Sequence, residues 1–405
     1  LRPDLVGRRA ILRSRLDDLD GARVDFEEAV AKGKQELRPY LADHLGKMAT
    51  QAAGRGDAAT WRGYRLRVAA LRLELGDIDE ARNVLTELLK TDSKDKATLR
   101  AIAHLDELEG RWDTASATYR RLVGLEDSEG IVSAAHKLLE TCAKAGRLAD
   151  ARGGLERARL AAPNDASLRE RLAWLYEQLD ARKELAELVL EEARASGEVG
   201  PRFDGLMRAG QLFLSIAADP SSAHQLESGA AAVAPLEEAH ALRPTDLDCI
   251  ALLSDAYLGA GRFEEGNELL TNTVAAFKGR RARELTSLYH RLARIAEALG
   301  DRNAELAHLT TALDMDSQNG VVASELAYLA MEIGNLDVAQ RALRQITMLK
   351  TPSPLPKAVA FQYLGEIAHQ QGDPRRAMML LKRAVDDDPT LESARVLLDR
   401  LQAEG

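Results

Sequence analysis

The chain has 405 residues, with 55 Lys and Arg against 64 Asp and Glu and a formal net charge of −9. That mildly acidic balance excludes a general nucleic-acid-binding surface, which needs a basic footprint. Aromatic residues make up 4% of a chain that is 45% hydrophobic, so its apolar content comes from Leu and Ala, and an all-helical fold is expected.

Residues 1–75 read as amphipathic helices with irregular pairing, because 37–53 predicts a single helix that upsets the count. From there one short phrase recurs: a glycine or aspartate, four residues, then a small residue opening a second amphipathic stretch. It stands at Gly76 to Ala81, Gly110 to Ala115, Gly146 to Ala151, Gly334 to Ala339 and Gly372 to Ala377. Several spacings are 34 residues (76 to 110, 146 to 180, 300 to 334), and others are 36, 38 and 39. A period near 34 in a helical sequence predicts stacked helical hairpins.

One unit shows the logic. Leu99, Ile102, Ala103 and Leu105 form a stripe, Gly110 ends that helix, and Asp113 or Thr114 is placed to cap the next. Ala115, Tyr119 and Leu122 continue at helical spacing, and the small Ala115 lets the two helices approach. Ala173, Ala209, Ala293, Ala327 and Gly365 are expected at corresponding crossings. Pro163, Pro244 and Pro389 stop the helices before them.

By this reading residues 76–200 are a repeat array. In 201–246 a repeat carries a loop (218–229) lengthened by roughly nine residues over the norm, with Pro235 at or inside the next helix. Residues 247–389 resume the array through a proline-rich connector (351–356), where mobility is expected, as it is at 221–225. Residues 390–405 supply one more amphipathic helix, placed to cap the last hairpin.

Ala327 to Ala339, Phe361 to Pro389 and Ala135 to Pro163 resemble the tetratricopeptide repeat family, and the likeness extends over nearly the whole chain. The resemblance implies an α-α superhelix of about ten hairpins, with first helices lining a concave face and a C-terminal capping helix. It implies a binding scaffold whose partner is a protein or peptide.

Projecting the first helices leaves a set of side chains turned away from the hairpin core, the expected partner-binding residues. In the first half of the chain they are Arg100, His104, Glu107, His136, Glu140, Lys144, Glu170, Trp174 and Glu177. In the second half they are Asp255, His290, Arg294, Glu297, Tyr328, Gln362, Glu366 and His369. Trp174 and Tyr328 either fill seams between repeats or serve as aromatic binding anchors. The four histidines are either ordinary surface residues or a source of pH-sensitive binding. With one Lys and no Asn on this face, capture of a partner's C-terminal carboxylate, as in some family members, is not expected.

No zinc motif, phosphate loop or dinucleotide fingerprint occurs, so no catalytic residue, cofactor or metal is expected. Basic clusters at Arg8, Arg9, Arg13 and Arg15, and at Lys278, Arg280, Arg281, Arg283, Arg291 and Arg294, are solvated helix faces, docks for an acidic protein patch, or, as the least favoured reading, contacts for nucleic acid or anionic lipid. Cys142 and Cys249 read as buried reduced thiols, which leaves cytoplasm and periplasm both open. No run is long and apolar enough for membrane insertion. Opening on Leu1 inside helical sequence, the chain reads as a segment of a longer protein, and its Ala- and Arg-rich composition suggests a bacterial source. The alternative is the sensor or substrate-docking region of a larger kinase, glycosyltransferase or transcription activator.

Overall fold

The computed structural model describes residues 3–128, 130–221, 225–277 and 285–404. Among them there are 22 α-helices, two short 3-10 turns and no strand. The chain divides into two compact units, one ending at Ala181 and the other beginning at Arg182.

The first unit runs through α1 (Pro3–Arg15), α2 (Leu19–Ala31), a 3-10 turn at Gln35–Leu37, α3 (Arg38–Gly54), α4 (Ala58–Glu74) and α5 (Ile78–Thr91). It continues with α6 (Lys96–Leu108), α7 (Trp112–Leu125), α8 (Ile131–Lys144), a 3-10 turn at Leu148–Ala151, α9 (Arg152–Ala161) and α10 (Ala166–Gln178). The single helix expected at 37–53 is α3. It packs closely on α4, so α3, α4 and α5 follow one another as three antiparallel helices. Phe26, Leu41, Leu45, Leu71, Leu85 and Leu105 knit α1 to α6 into one apolar cluster. Beneath the N-terminal helices lies a buried carboxylate. Asp25 accepts hydrogen bonds from Arg9 Nε (2.7 Å), Arg9 Nη2 (2.6 Å) and Arg13 Nη1 (3.0 Å). Two of the four arginines in the first basic cluster are therefore committed within the fold.

The second unit comprises α11 (Arg182–Ala195), α12 (Val199–Ala217), α13 (Gln225–Leu242), α14 (Leu247–Gly259), α15 (Phe263–Ala276) and α16 (Leu285–Leu299). After these come α17 (Arg302–Met315), α18 (Gly320–Ile333), α19 (Leu336–Met348), α20 (Lys357–Gln370), α21 (Pro374–Asp387) and α22 (Glu392–Glu404). Its core is a relay of clusters, the most extensive of which joins α16 to α20 while the others each join a few neighbouring helices. The last of these seats Ala394, Leu398 and Leu401 of α22 against Phe361, Leu381 and Ala384, so α22 covers the final hairpin as expected.

The recurring phrase has a conformational origin. Its five glycines take φ between 69° and 84°, the left-handed region that disfavours a Cβ. At Gly334 this lets the next amide, Asn335, donate back to the carbonyl of Ala330 (2.8 Å), closing the helix end in a Schellman turn. Asp180 occupies the same region with φ 51°. The small residue five positions on is fully buried in each case, at Ala81, Ala115, Ala151, Ala339 and Ala377. Ala173, by contrast, is only half-buried.

Three expectations are corrected. The insertion at 218–229 is shorter as a loop than expected: α13 begins at Gln225, so 225–229 are helical, and α12 and α13 have 19 and 18 residues, while 222–224, within the stretch where mobility was expected, lie outside the described residues. Pro235 lies inside α13 and is buried. The 351–356 connector is anchored, because Leu355 is fully buried and its amide donates to Ser324 Oγ (3.1 Å). Finally, α7 begins at Trp112 with Arg111 at its cap, so neither Asp113 nor Thr114 caps it. Both cysteines are buried free thiols, and burial pushes Cys249 up to about 12. Among the described residues no helix is long and apolar enough to cross a membrane.

Candidate functional site

In the first unit, helices α6, α8 and α10 carry a line of ion pairs that joins the predicted Glu107 and Glu140 through Lys137 and Arg171, which the projection left out. Lys137 Nζ lies 3.3 Å from Glu107 on α6 and 3.4 Å from Glu140 on its own helix. Arg171 on α10 reaches Glu140 at 4.0 Å. His136 is half-buried, with Nε2 3.2 Å from Ser167 Oγ. Burial and the neighbouring Arg171 charge hold its pKa below the usual histidine value. His104 is exposed, 3.9 Å from Glu107. Glu170, Glu177 and Trp174 are exposed, Trp174 by 42%.

Two residues of the first-unit prediction are engaged within the fold. Arg100 binds the buried carboxylate of Glu126, between α7 and α8. Lys144 sits over the ring of Trp112, 4.3 Å from its centroid, in a cation–π contact.

In the second unit the convergence is tighter. Ala293, Arg294 and Glu297 of α16, Arg302, Glu305 and Leu309 of α17, and Glu325, Tyr328, Leu329 and Glu332 of α18 enclose a cleft of about 340 Å³. That volume is at the lower end of about 300–1,000 Å³ for ligand sites. Three predicted residues, Arg294, Glu297 and Tyr328, line it. A fourth, His290, stands at its edge with Nε2 2.5 Å from Glu325 Oε2. Tyr328 is 48% exposed, and Tyr363 of α20 braces it edge-on, ring centroids 6.5 Å apart.

Arg302 lies 3.0 Å from Glu305 and 3.4 Å from Glu332. Asp255 of α14 takes two hydrogen bonds from Arg291, at 3.1 and 2.8 Å, and lies 3.8 Å from Arg294. This commits Arg291 and Arg294 of the second basic cluster; Lys278, Arg280, Arg281 and Arg283 lie outside the described residues.

Gln362 is corrected. Expected on the open face, it is 7% exposed, donates to Glu366 Oε1 (2.7 Å) and accepts from Ser393 Oγ of α22 (2.8 Å). The capping helix extends far enough to cover it. Glu366 and His369 are half-buried.

Projection of first helices alone overlooked several contributors. Glu325 and Glu332 lie on the Tyr328 stripe, one turn to either side, and extending that stripe would have found them. Arg302 and Glu305 come from the first turn of a second helix, which such a projection omits. Among the described residues no group of three or more His, Cys, Asp or Glu could hold a metal ion.

Residues 286–319, which span α16 and α17, match the family model of the tetratricopeptide repeat. No match is found among curated proteins. Among solved structures, YrrB, described as a tetratricopeptide-repeat protein with an unusual peptide-binding site, is 17% identical with a TM-score of 0.36. That match covers 53% of this chain and 98% of YrrB. A tetratricopeptide-repeat protein of Parabacteroides merdae is 12% identical with a TM-score of 0.35, covering 68% of this chain and 98% of its own. A thermophilic one from Thermus thermophilus is 18% identical with a TM-score of 0.28, covering 50% of this chain and 99% of its own.

Proposed function

We propose that this helical-repeat chain, in which residues 286–319 match the tetratricopeptide-repeat model, is a non-catalytic interaction scaffold whose first-helix faces seat a partner protein. On this reading it is one segment of a larger bacterial protein working within a multiprotein assembly. The observation that carries the reading is Tyr328. A large aromatic, 48% exposed, stands in a cleft beside charged side chains from three helices. Exposed aromatics in such surroundings are enriched among binding hot spots. Trp174 offers a comparable exposed ring on α10 of the first unit.

The test is affinity capture from lysate of the source organism with wild type, Trp174→Ala and Tyr328→Ala, with melting temperatures recorded alongside. A partner retained by wild type and lost by either variant at unchanged melting temperature supports binding on that variant's face. A partner retained equally by all three proteins places binding elsewhere and refutes the reading.

A further inference from the structure

The cleft between α16, α17 and α18 has a directional charge bias, and from it we infer that its occupant is a cationic side chain, arginine or lysine, from an extended segment of the partner. The inference rests on the scaffold reading above and narrows it. Four carboxylates (Glu297, Glu305, Glu325 and Glu332) line the cleft against two guanidinium groups. Both guanidinium groups already have acidic neighbours. Arg302 pairs with Glu305 and Glu332, and Arg294 reaches back to Asp255.

The excess negative charge lies nearest Glu297 and Glu325, the two lining carboxylates that no arginine bonds directly. Glu297 makes no direct hydrogen bond or ion pair among the described residues and feels the Arg302 charge only at a distance, and Glu325 meets the imidazole of His290. These two carboxylates stand on α16 and α18, with Tyr328 one turn along from Glu325. An open phenol ring beside two carboxylates suits a guanidinium or an ammonium, which gains from the ring face and from charge-assisted hydrogen bonds together. An anionic ligand would face four carboxylates, with both arginines already engaged. A bare metal ion lacks a donor set, since among the described residues no three suitable side chains converge.

The probe is a labelled nonapeptide of glycine and alanine with arginine at its centre, titrated by fluorescence anisotropy. The same peptide is made with lysine, citrulline or glutamate at that position. Citrulline keeps the shape of arginine and removes its charge. The arginine peptide should bind wild type about ten-fold more tightly than the citrulline peptide, with lysine between them and glutamate weakest. That ratio should fall towards one in Tyr328→Ala and in Glu297→Gln at unchanged melting temperature, and binding should weaken as salt rises.

Equal binding of arginine and citrulline, no binding of the arginine peptide to wild type, or a ratio that survives in both variants overturns the inference. If partner capture depends on Tyr328 while arginine and citrulline bind alike, the scaffold reading stands and the cationic one falls. If the ratio holds while capture ignores Tyr328, the cation site stands and this face is not the partner's seat.

Discussion

Gly229 lies in the interior of α13, where glycine is ordinarily a weakness. Replacing an interior helical glycine by alanine stabilises by about 1 kcal/mol when the new methyl has room. At Gly229 it has none. An added Cβ would lie 2.9 Å from the carbonyl oxygen of Gly259 and 3.1 Å from its carbonyl carbon. Ordinary contact begins near 3.5 Å, so α13 and α14 must separate by roughly 0.5 Å, and a backbone carbonyl cannot rotate aside. Overpacking of this kind costs about 1–3 kcal/mol.

Gly63 in α4 is the control, an exposed helix-interior glycine with nothing within 4 Å of an added Cβ. Measured against Gly63→Ala, the propensity gain cancels and the overpacking remains. Gly63→Ala should be stabilised by about 1 kcal/mol. Gly229→Ala should fall about 1–3 kcal/mol below that variant. Urea unfolding followed by far-UV circular dichroism gives both values. Equal stabilisation of the two variants would refute the reasoning, because α13 and α14 could then not approach as closely as described.

Three further predictions test the packing. Arg9's hydrogen bonds, with Arg13 adding its charge, hold the Asp25 carboxyl below the usual carboxylate range. A lowered folded pKa gives stability that is present above the unfolded value, about 3.9, and is lost as pH falls through the folded one. Asp25→Asn should therefore cost about 2 kcal/mol at pH 7, and its melting temperature should converge with wild type in stronger acid; a gap that persists there contradicts the reading. Burial holds the His308 pKa below the ordinary histidine value. Its contribution is complete above about pH 6.5 and declines as pH falls from there, so His308→Gln should show a flatter melting profile through mild acid than wild type. Ser324→Ala removes the acceptor of the buried Leu355 amide. It should cost about 1–3 kcal/mol and speed proteolytic cutting at 351–356, and unchanged cutting would show that the connector is held by other means.

The hairpin turns were legible because a left-handed residue leaves a chemical signature that few side chains share. The α13 insertion was misread for a related reason. Gly229 reads as a loop signal by composition, whereas Pro235, expected at or inside the next helix, lies inside it. Here the glycine permits a close helix contact, and the proline is buried by the tertiary packing, which outweighs local preference. The wheel projection placed Arg294 and Glu297 on one face of α16 and Tyr328 on the corresponding face of α18, and these faces border the same cleft. It could not foresee that the exposed Arg100 and Lys144 would meet Glu126 and Trp112 on other elements, and it misjudged Gln362, whose burial depends on where α22 settles. Pairing between elements is not encoded in the periodicity of one helix.

In both units the strongest packing joins helices adjacent in the chain, with lesser contacts to the next but one, as between α4 and α6 or α12 and α14. Loop closure is therefore short at every stage, which favours rapid folding that can nucleate at many points. During synthesis each hairpin can be completed soon after it emerges. The last such interval falls at α20 and α21, whose stripe of Phe361, Leu381 and Ala384 stays uncovered until α22 follows. A pause in translation just before α22 would prolong the exposure of that stripe.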